Sequence, residues 1–382
     1  MGTGDNSIGG RAMSVNSIAL PHGGNLQQAS QIYGIDIHDW IDLSTGINPR
    51  SYPLAPIATE YFHQLPYPSS GLIDVASKYY GSNQLLPIAG TQAAIQVLPQ
   101  CLPELPILLP KVGYQEHRKH WLRGAAPCRD YPANHAEETA VYIDQQLQEN
   151  AATHLLLINP NNPTGLYLDK QNMLKWAGQL KEGGHLIVDE AFIDVTPEQS
   201  LLTEPLPDNV LVLRSCGKFF GLAGIRLGFA FASPVLRERL SDALGLWPIS
   251  GPTQAAGIQG LGDDLWQQQA RLKITQDSDT TATLFEPLLQ QLNPVRQMNR
   301  PLFHSYLLAK QSARDMQFWF AKRGILLRLI DWDEDLSLVR VGLLDSTNNE
   351  HTQRVKQAVT AAVEAINDGV FYSHETPLPQ KA

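Results

Sequence analysis

Val210-Leu211-Val212-Leu213-Arg214-Ser215-Cys216-Gly217-Lys218-Phe219-Phe220-Gly221-Leu222-Ala223-Gly224-Ile225-Arg226 is the stretch that decides how this 382-residue chain reads. Four consecutive apolar residues, Val210 to Leu213, predict a short buried strand. Lys218 stands just beyond it, with the hydroxyl of Ser215 three residues before and Arg226 eight after. A primary amine at such an edge suits a Schiff base to a phosphorylated aldehyde, because partial burial lowers its pKa. A hydroxyl and a guanidinium suit the phosphate. A lysine by itself is most often a solvated surface residue, so the weight falls on what surrounds it.

Further apolar runs flank this one: Ile107 to Leu109, His154 to Ile158, His185 to Val188 and Leu227 to Phe231. Amphipathic segments such as Asp169 to Leu180 separate them. That alternation predicts buried parallel strands with crossover helices, an α/β sheet covered on both faces. Ligands in such sheets bind beyond the carboxyl ends of the strands. Three motifs fall there. Asn159-Pro160-Asn161-Asn162-Pro163-Thr164-Gly165 follows one run, and Asn162 can donate an amide to a ligand oxygen; taken singly the segment is also an ordinary turn. Asp189 closes Leu186-Ile187-Val188, where a buried carboxylate needs a cationic partner such as a protonated pyridine, a structural salt bridge being the plainer alternative. Tyr114, after the Ile107 run, can stack on a planar ring or belong to the core. A fourth motif, Gly90-Thr91-Gln92, opens a helical stretch whose free amides can face an anion, or whose Thr91 is simply a cap.

The chain ends read differently. Residues 21–55 are rich in Gly, Pro and Asn; beyond Asp263 a long helical pattern leads to candidate strands at Ser305 to Leu308, Leu326 to Leu329 and Leu336 to Leu343. The expected organisation is a flexible lead (1–20), a small α+β domain built from both termini (21–55 and 285–372), a large domain with a mostly parallel central sheet (56–284) and a frayed tail (373–382). Hydrophobic residues make up 43% and charged residues 18%, ordinary for a globular chain. The net charge of -9 argues against nucleic acid or an anionic membrane as partner. No apolar run reaches the ~18 residues of a membrane span. The three cysteines, Cys101, Cys128 and Cys216, show neither disulfide nor metal-ligand spacing, so no metal is expected and a cytoplasmic setting fits. Cys216 reads as a small buried residue.

As an ordered set, phosphate cup, aromatic, amide, carboxylate, lysine and arginine resemble the fold-type I family of pyridoxal-phosphate enzymes, the aspartate aminotransferase superfamily, over about Pro21 to Gly342. The resemblance implies pyridoxal 5'-phosphate as cofactor and catalytic roles for Lys218 and Asp189. It places the Schiff base on Lys218, the ring nitrogen on Asp189 and the phenolic oxygen on Asn162. Tyr114 would cover the ring; Thr91, Ser215, Arg226 and the amides near Gly90 to Gln92 would hold the phosphate. Arg340, in Val339-Arg340-Val341-Gly342, would bind the substrate α-carboxylate. Tyr67, in Leu65-Pro66-Tyr67-Pro68, would reach a neighbouring subunit's cofactor, which implies a homodimer with shared active sites. Two positions depart from the pattern. Phe192 stands where relatives often have tyrosine, and Gly217 where they often have serine.

The N-terminal His22-Gly23-Gly24-Asn25 and Asp42-Leu43-Ser44-Thr45-Gly46-Ile47-Asn48-Pro49 resemble the threonine-phosphate decarboxylase branch, the cobalamin-pathway lyases. Histidinol-phosphate aminotransferases are the close alternative, and a non-catalytic cofactor-binding protein is a third. Amides at the helix start near Gly23 and Gly24, with His22, would take the phosphate of a small phosphorylated amino acid. Ser44 to Asn48 would line its pocket. The cofactor motifs alone serve lyase and aminotransferase alike.

Overall fold

A computed structural model describes residues 22–371; the lead and tail expected from the sequence lie outside the described residues. Two sheets organise the chain. The larger contains β2 (Leu85–Ile88), β3 (Ile107–Pro110), β4 (Cys128–Tyr131), β5 (His154–Ile158), β6 (Leu186–Asp189), β7 (Val210–Ser215) and β8 (Gly228–Phe231) in the order β2-β8-β7-β6-β5-β3-β4. Its strands from β4 across to β7 are parallel.

Period-two alternation divides these strands between two covers. Leu155, Leu157, Leu186, Val188, Val210 and Val212 pack into one core with Trp176 and Phe229. Leu156, Ile158, Ile187, Leu211 and Leu213 face the other, against Ile95, Leu98 and Leu236. Both faces are apolar, so the strands read as unbroken hydrophobic runs. The run ending at Phe231 corrects the sequence reading. β8 is antiparallel to both β7 and β2. The connection from Ser215 to Gly228 contains only a 3-10 turn, Ala223–Ile225. A parallel neighbour would need a crossover helix, and this length of chain is committed to presenting Lys218.

The smaller sheet orders β1 (Ile41–Leu43), β11 (Ile325–Asp331), β12 (Leu336–Gly342), β10 (Phe303–Ala309) and β9 (Arg296–Arg300) as β1-β11-β12-β10-β9. Only the β1–β11 pairing is parallel. It carries its own core of Leu43, Tyr306, Phe320, Leu327, Val339 and Val355. Helix Asp264–Leu292, 29 residues long, runs between the two sheets in sequence and contributes Phe285, Leu288 and Leu289 to that core. Among the described residues no helix is long and apolar enough to cross a membrane.

Candidate active site

The carboxyl ends of β5, β6 and β7 deliver Asn162, Asp189 and Lys218 to one place, and β12 brings Arg340 to the same place from the smaller sheet. A cavity of 260 Å³ is lined by His22, Gly23, Tyr114, Asn162, Phe192, Lys218 and Arg340, with Arg328 and Ile330 from β11. Lys218 Nζ stands 5.5 Å from the centre of the Phe192 ring. Burial, then the nearby Arg340, lowers its pKa to about 8, Asp189 opposing and Arg226 assisting. The amine is therefore a usable nucleophile near neutral pH.

Asp189 is buried, and its carboxylate is fixed on two sides. Oδ1 accepts the Ala191 N–H at 3.0 Å, and Oδ2 lies 3.0 Å from His117 Nε2. Asn162 Oδ1 accepts from Arg340 Nη1, which leaves the amide Nδ2 to donate elsewhere. Arg340 Nη2 donates to the Ser44 carbonyl. Its buried Nε has no hydrogen-bond partner. Burial, with Arg328 beside it, lowers the Arg340 pKa to about 10, Asp42 opposing, so the guanidinium is charged at neutral pH. Tyr114 donates its hydroxyl to Gln92 Oε1 at 3.0 Å, which holds the ring against the cavity wall.

The cup lies beside this group. Helix Thr91–Cys101 starts from Gly90, whose φ of 70° and ψ of 158° suit glycine, and no side chain caps it. A Cβ on Gly90 would lie 2.6 Å from Arg226 Nη2, and one on Gly228 would lie 3.0 Å from the Thr91 nitrogen. Ser215 Oγ accepts the Gly217 N–H at 3.2 Å and keeps its own proton to donate. Uncapped helix amides, a hydroxyl and a guanidinium thus converge, a donor set suited to an anion. The cradle that a Cβ would fill and the uncapped helix start fit the phosphate of a phosphorylated aromatic aldehyde.

This geometry predicts the effect of Gly90→Ala. The substitution strains a backbone region that is essentially reserved for glycine, at about 1–3 kcal/mol, and displaces the Arg226 guanidinium from the cup. The expected result is at least ~10-fold weaker retention of pyridoxal phosphate, read by dialysis and absorbance. Unchanged retention would remove Gly90 and Arg226 from the phosphate site.

The structure departs from several of these expectations. Gly24 donates its amide to Ser44 Oγ at 2.8 Å and does not line the cavity. The helix start beyond it, Leu26–Tyr33, is capped by Asn25 Oδ1 on the Gln28 N–H, so that amide is not offered to a ligand. Asn48 is buried; its Nδ2 donates to the Phe219 carbonyl at 2.9 Å and its N–H to that of Lys218 at 3.0 Å. It holds the lysine loop rather than lining the pocket; Thr45 and Gly46 do line it. Gln92 offers its backbone to the cup, its side chain being spent on Tyr114 and Glu116. Tyr67 is 66% exposed, packs edge-on against Trp247 and stands apart from the cavity-lining residues of its own chain. Cys216 is buried as expected, and burial pushes its thiol up to about 12.

Sequence reasoning missed His117 and Arg328. His117 follows Tyr114 by about one helical turn, on helix Gln115–Trp121, and nothing local marks it. Arg328 did leave a signal, a charge in the middle of the apolar run Ile325 to Ile330. The register pairs it directly with Arg340.

The sequence model described as aminotransferase class I and II matches residues 68–328, and the chain belongs to that family. Within it, the chain is similar to a threonine-phosphate decarboxylase of Pseudomonas aeruginosa, 36% identical over 320 residues, which covers 84% of this chain and 92% of that protein. A second threonine-phosphate decarboxylase, from Sinorhizobium sp, is 36% identical over 62% of this chain and 70% of its own. Among solved structures, histidinol-phosphate aminotransferase from Sinorhizobium meliloti in complex with pyridoxal-5'-phosphate superposes with a TM-score of 0.71 at 18% identity, over 93% of this chain and 100% of that one. L-threonine-O-3-phosphate decarboxylase from Porphyromonas gingivalis gives 0.63 at 18%, over 80% and 92%. The architecture is the fold-type I aminotransferase fold.

Proposed function

We propose that the chain is a pyridoxal-phosphate-dependent decarboxylase that converts L-threonine O-3-phosphate to (R)-1-aminopropan-2-yl phosphate and CO₂, a step of cobalamin biosynthesis. One observation carries it beyond the relatives' names. The cavity sets the amine of the half-buried Lys218 opposite two arginines paired in register, Arg328 and Arg340. Two guanidiniums side by side call for a substrate with two anionic groups, and an O-phosphoamino acid supplies a carboxylate and a phosphate.

Pyridoxal phosphate, when bound, supplies an aldehyde for imine chemistry and a protonated ring that accepts an electron pair. The side chains prepare the rest. Lys218 provides the neutral amine that holds the aldehyde and yields it to the substrate amine. Asp189, pinned by His117 and the Ala191 amide, keeps a proton on the ring nitrogen. Asn162 Nδ2 would donate to the ring oxygen, while its Oδ1 orients Arg340. Arg340 fixes the direction of the α-carboxylate, and so decides which bond at the α-carbon stands across the ring. Arg328 and His22 take the substrate phosphate. Lys218, now an ammonium, returns to the α-carbon the proton that replaces the departing CO₂. Phe192, backed by Phe303 with ring centres 5.2 Å apart, gives this pocket an apolar wall that excludes water.

We also infer a homodimer. Phe62, Leu65, Tyr67 and Leu246 are each more than 60% exposed, and Tyr67 packs on Trp247. Apolar side chains concentrated in two neighbouring segments mark a surface covered by a partner. The residues around β1 and beyond helix Asp264–Leu292 would form the small domain of each subunit.

The test is one incubation of holoenzyme with L-threonine O-3-phosphate, without 2-oxoglutarate, with CO₂ and amine followed by mass. Catalytic CO₂ with aminopropanol phosphate is expected. No CO₂, with conversion of the cofactor to its pyridoxamine form by histidinol phosphate, would make the protein an aminotransferase.

A further inference from the structure

Glu116 lies in the first turn of helix Gln115–Trp121, one of the places where an acidic side chain ordinarily reaches solvent and interacts with the helix dipole. This one is nearly buried, with 13% of its side chain exposed. Both of its oxygens are engaged, and Lys119 Nζ donates to each, at 3.2 and 3.3 Å. Oε1 lies 3.6 Å from His22 Nε2 and 3.2 Å from Lys119 Nζ. Oε2 accepts from Gln92 Nε2 at 3.1 Å and lies 3.5 Å from His120 Nε2. Gln92 in turn accepts the Tyr114 hydroxyl at 3.0 Å. Burial pushes the Glu116 carboxyl up, but Lys119, Gln92 and His22 outweigh it and hold the group below its ordinary value.

One carboxylate therefore joins three walls of the cavity: the N-terminal segment through His22, the cofactor-cup helix through Gln92 and the ring-covering Tyr114. His22 needs such a tether. Its side chain is 58% exposed and its ring centre is 6.3 Å from that of Tyr114, a loose contact. An imidazole on a short segment with only this contact would sample several rotamers, and each productive encounter would cost that freedom. With Nε2 set against Glu116, the ring keeps Nδ1 as its remaining hydrogen-bonding atom at the cavity mouth.

We propose that Glu116 is a positioning residue that fixes His22 at the cavity mouth as part of the receptor for the substrate phosphate. The proposal rests on the reading of the substrate as phosphorylated. It acts through His22, so it changes substrate capture and leaves the chemistry at Lys218 alone.

The experiment is steady-state kinetics of the holoenzyme on L-threonine O-3-phosphate. Glu116→Gln, which keeps shape and removes charge, is expected to raise KM about tenfold, the effect of weakening one charge-assisted contact, with kcat within about twofold. His22→Ala raises KM similarly, and the double variant raises it no further than His22→Ala alone. A parental KM in Glu116→Gln, effects that multiply in the double variant, or a loss of kcat at constant KM would each overturn the proposal. Should Glu116→Gln not fold, Glu116→Asp keeps the charge and shortens the reach to His22; it is expected to raise KM in the same way, and a parental KM there overturns the proposal too. If the parent releases no CO₂ but transaminates histidinol phosphate, the decarboxylase reading fails, and the same KM comparison on that phosphorylated amine still decides the role of Glu116.

Discussion

Lys218→Ala holoenzyme releases CO₂ from L-threonine O-3-phosphate at least ~10³-fold more slowly than the parent, because one side chain supplies both the nucleophile and the returning proton. The amine stands at the end of β7 with Phe192 beside it, and burial lowers its pKa to about 8, with Arg340 and Arg226 assisting and Asp189 opposing. The sign of the pH dependence follows. Near pH 7 roughly a tenth of the amine is neutral, and near pH 9 roughly nine tenths. Capture of pyridoxal phosphate by cofactor-free parent protein should therefore accelerate as pH rises through about 8 and then level off. An ordinary exposed lysine would keep accelerating to near pH 10. Borohydride reduction followed by peptide mass should find the cofactor on Lys218, and on no residue of the variant. The cup of Gly90, Thr91, Ser215 and Arg226 is intact in Lys218→Ala, so the variant still binds the cofactor, without the step near pH 8. Turnover within tenfold of the parent, or a reduced adduct on another lysine, would take Lys218 out of the chemistry.

Much of this arrangement was legible because it is local. Strand β5 spans the expected His154 to Ile158, and Lys218, Asp189 and Asn162 each follow an apolar run within a few residues. Such strands are buried on both faces, so hydrophobicity alone marks them. Edge strands escaped for the converse reason. β9, Arg-Gln-Met-Asn-Arg, alternates between exposed and half-buried positions, and β4 buries only Tyr131 fully. β2 contains Pro87, which an edge strand tolerates. The misassigned site residues share another cause. Gly24 and Asn48 looked like ligand binders because glycine and asparagine often are, yet their partners, Ser44 and the Phe219 carbonyl, are set by tertiary contacts. His117 acts through Asp189, and Arg328 reaches the cavity only because the register sets it opposite Arg340; no spacing in the chain announces those pairings.

Arg340→Lys should lower kcat/KM by ~10²-fold or more and, more tellingly, change what the enzyme makes. Lysine keeps the positive charge but presents a single point, where arginine presents a fork. In the parent, Nη1 donates to Asn162 and Nη2 to the Ser44 carbonyl, so the plane of the guanidinium is fixed before substrate arrives. The bare Nε shows that its donors are not exhausted by the protein. An ammonium cannot satisfy Asn162, Ser44 and a carboxylate in one plane, and a buried acceptor left unpaired costs about 1–3 kcal/mol. The carboxylate would then bind with a wider range of directions. Decarboxylation needs the bond to the carboxylate across the ring, whereas transamination needs the bond to hydrogen there. Widening the range therefore subtracts from the first and adds to the second. The expected observation is a larger fraction of pyridoxamine phosphate per CO₂ released, measured by mass in the absence of an oxo acid. Arg328, paired across the strands with Arg340, provides the contrast. Arg328→Lys should raise KM for the phosphorylated substrate while leaving the ratio of products near the parental value. A ratio unchanged in Arg340→Lys, or shifted equally by both substitutions, would mean that the carboxylate is aimed by something other than Arg340.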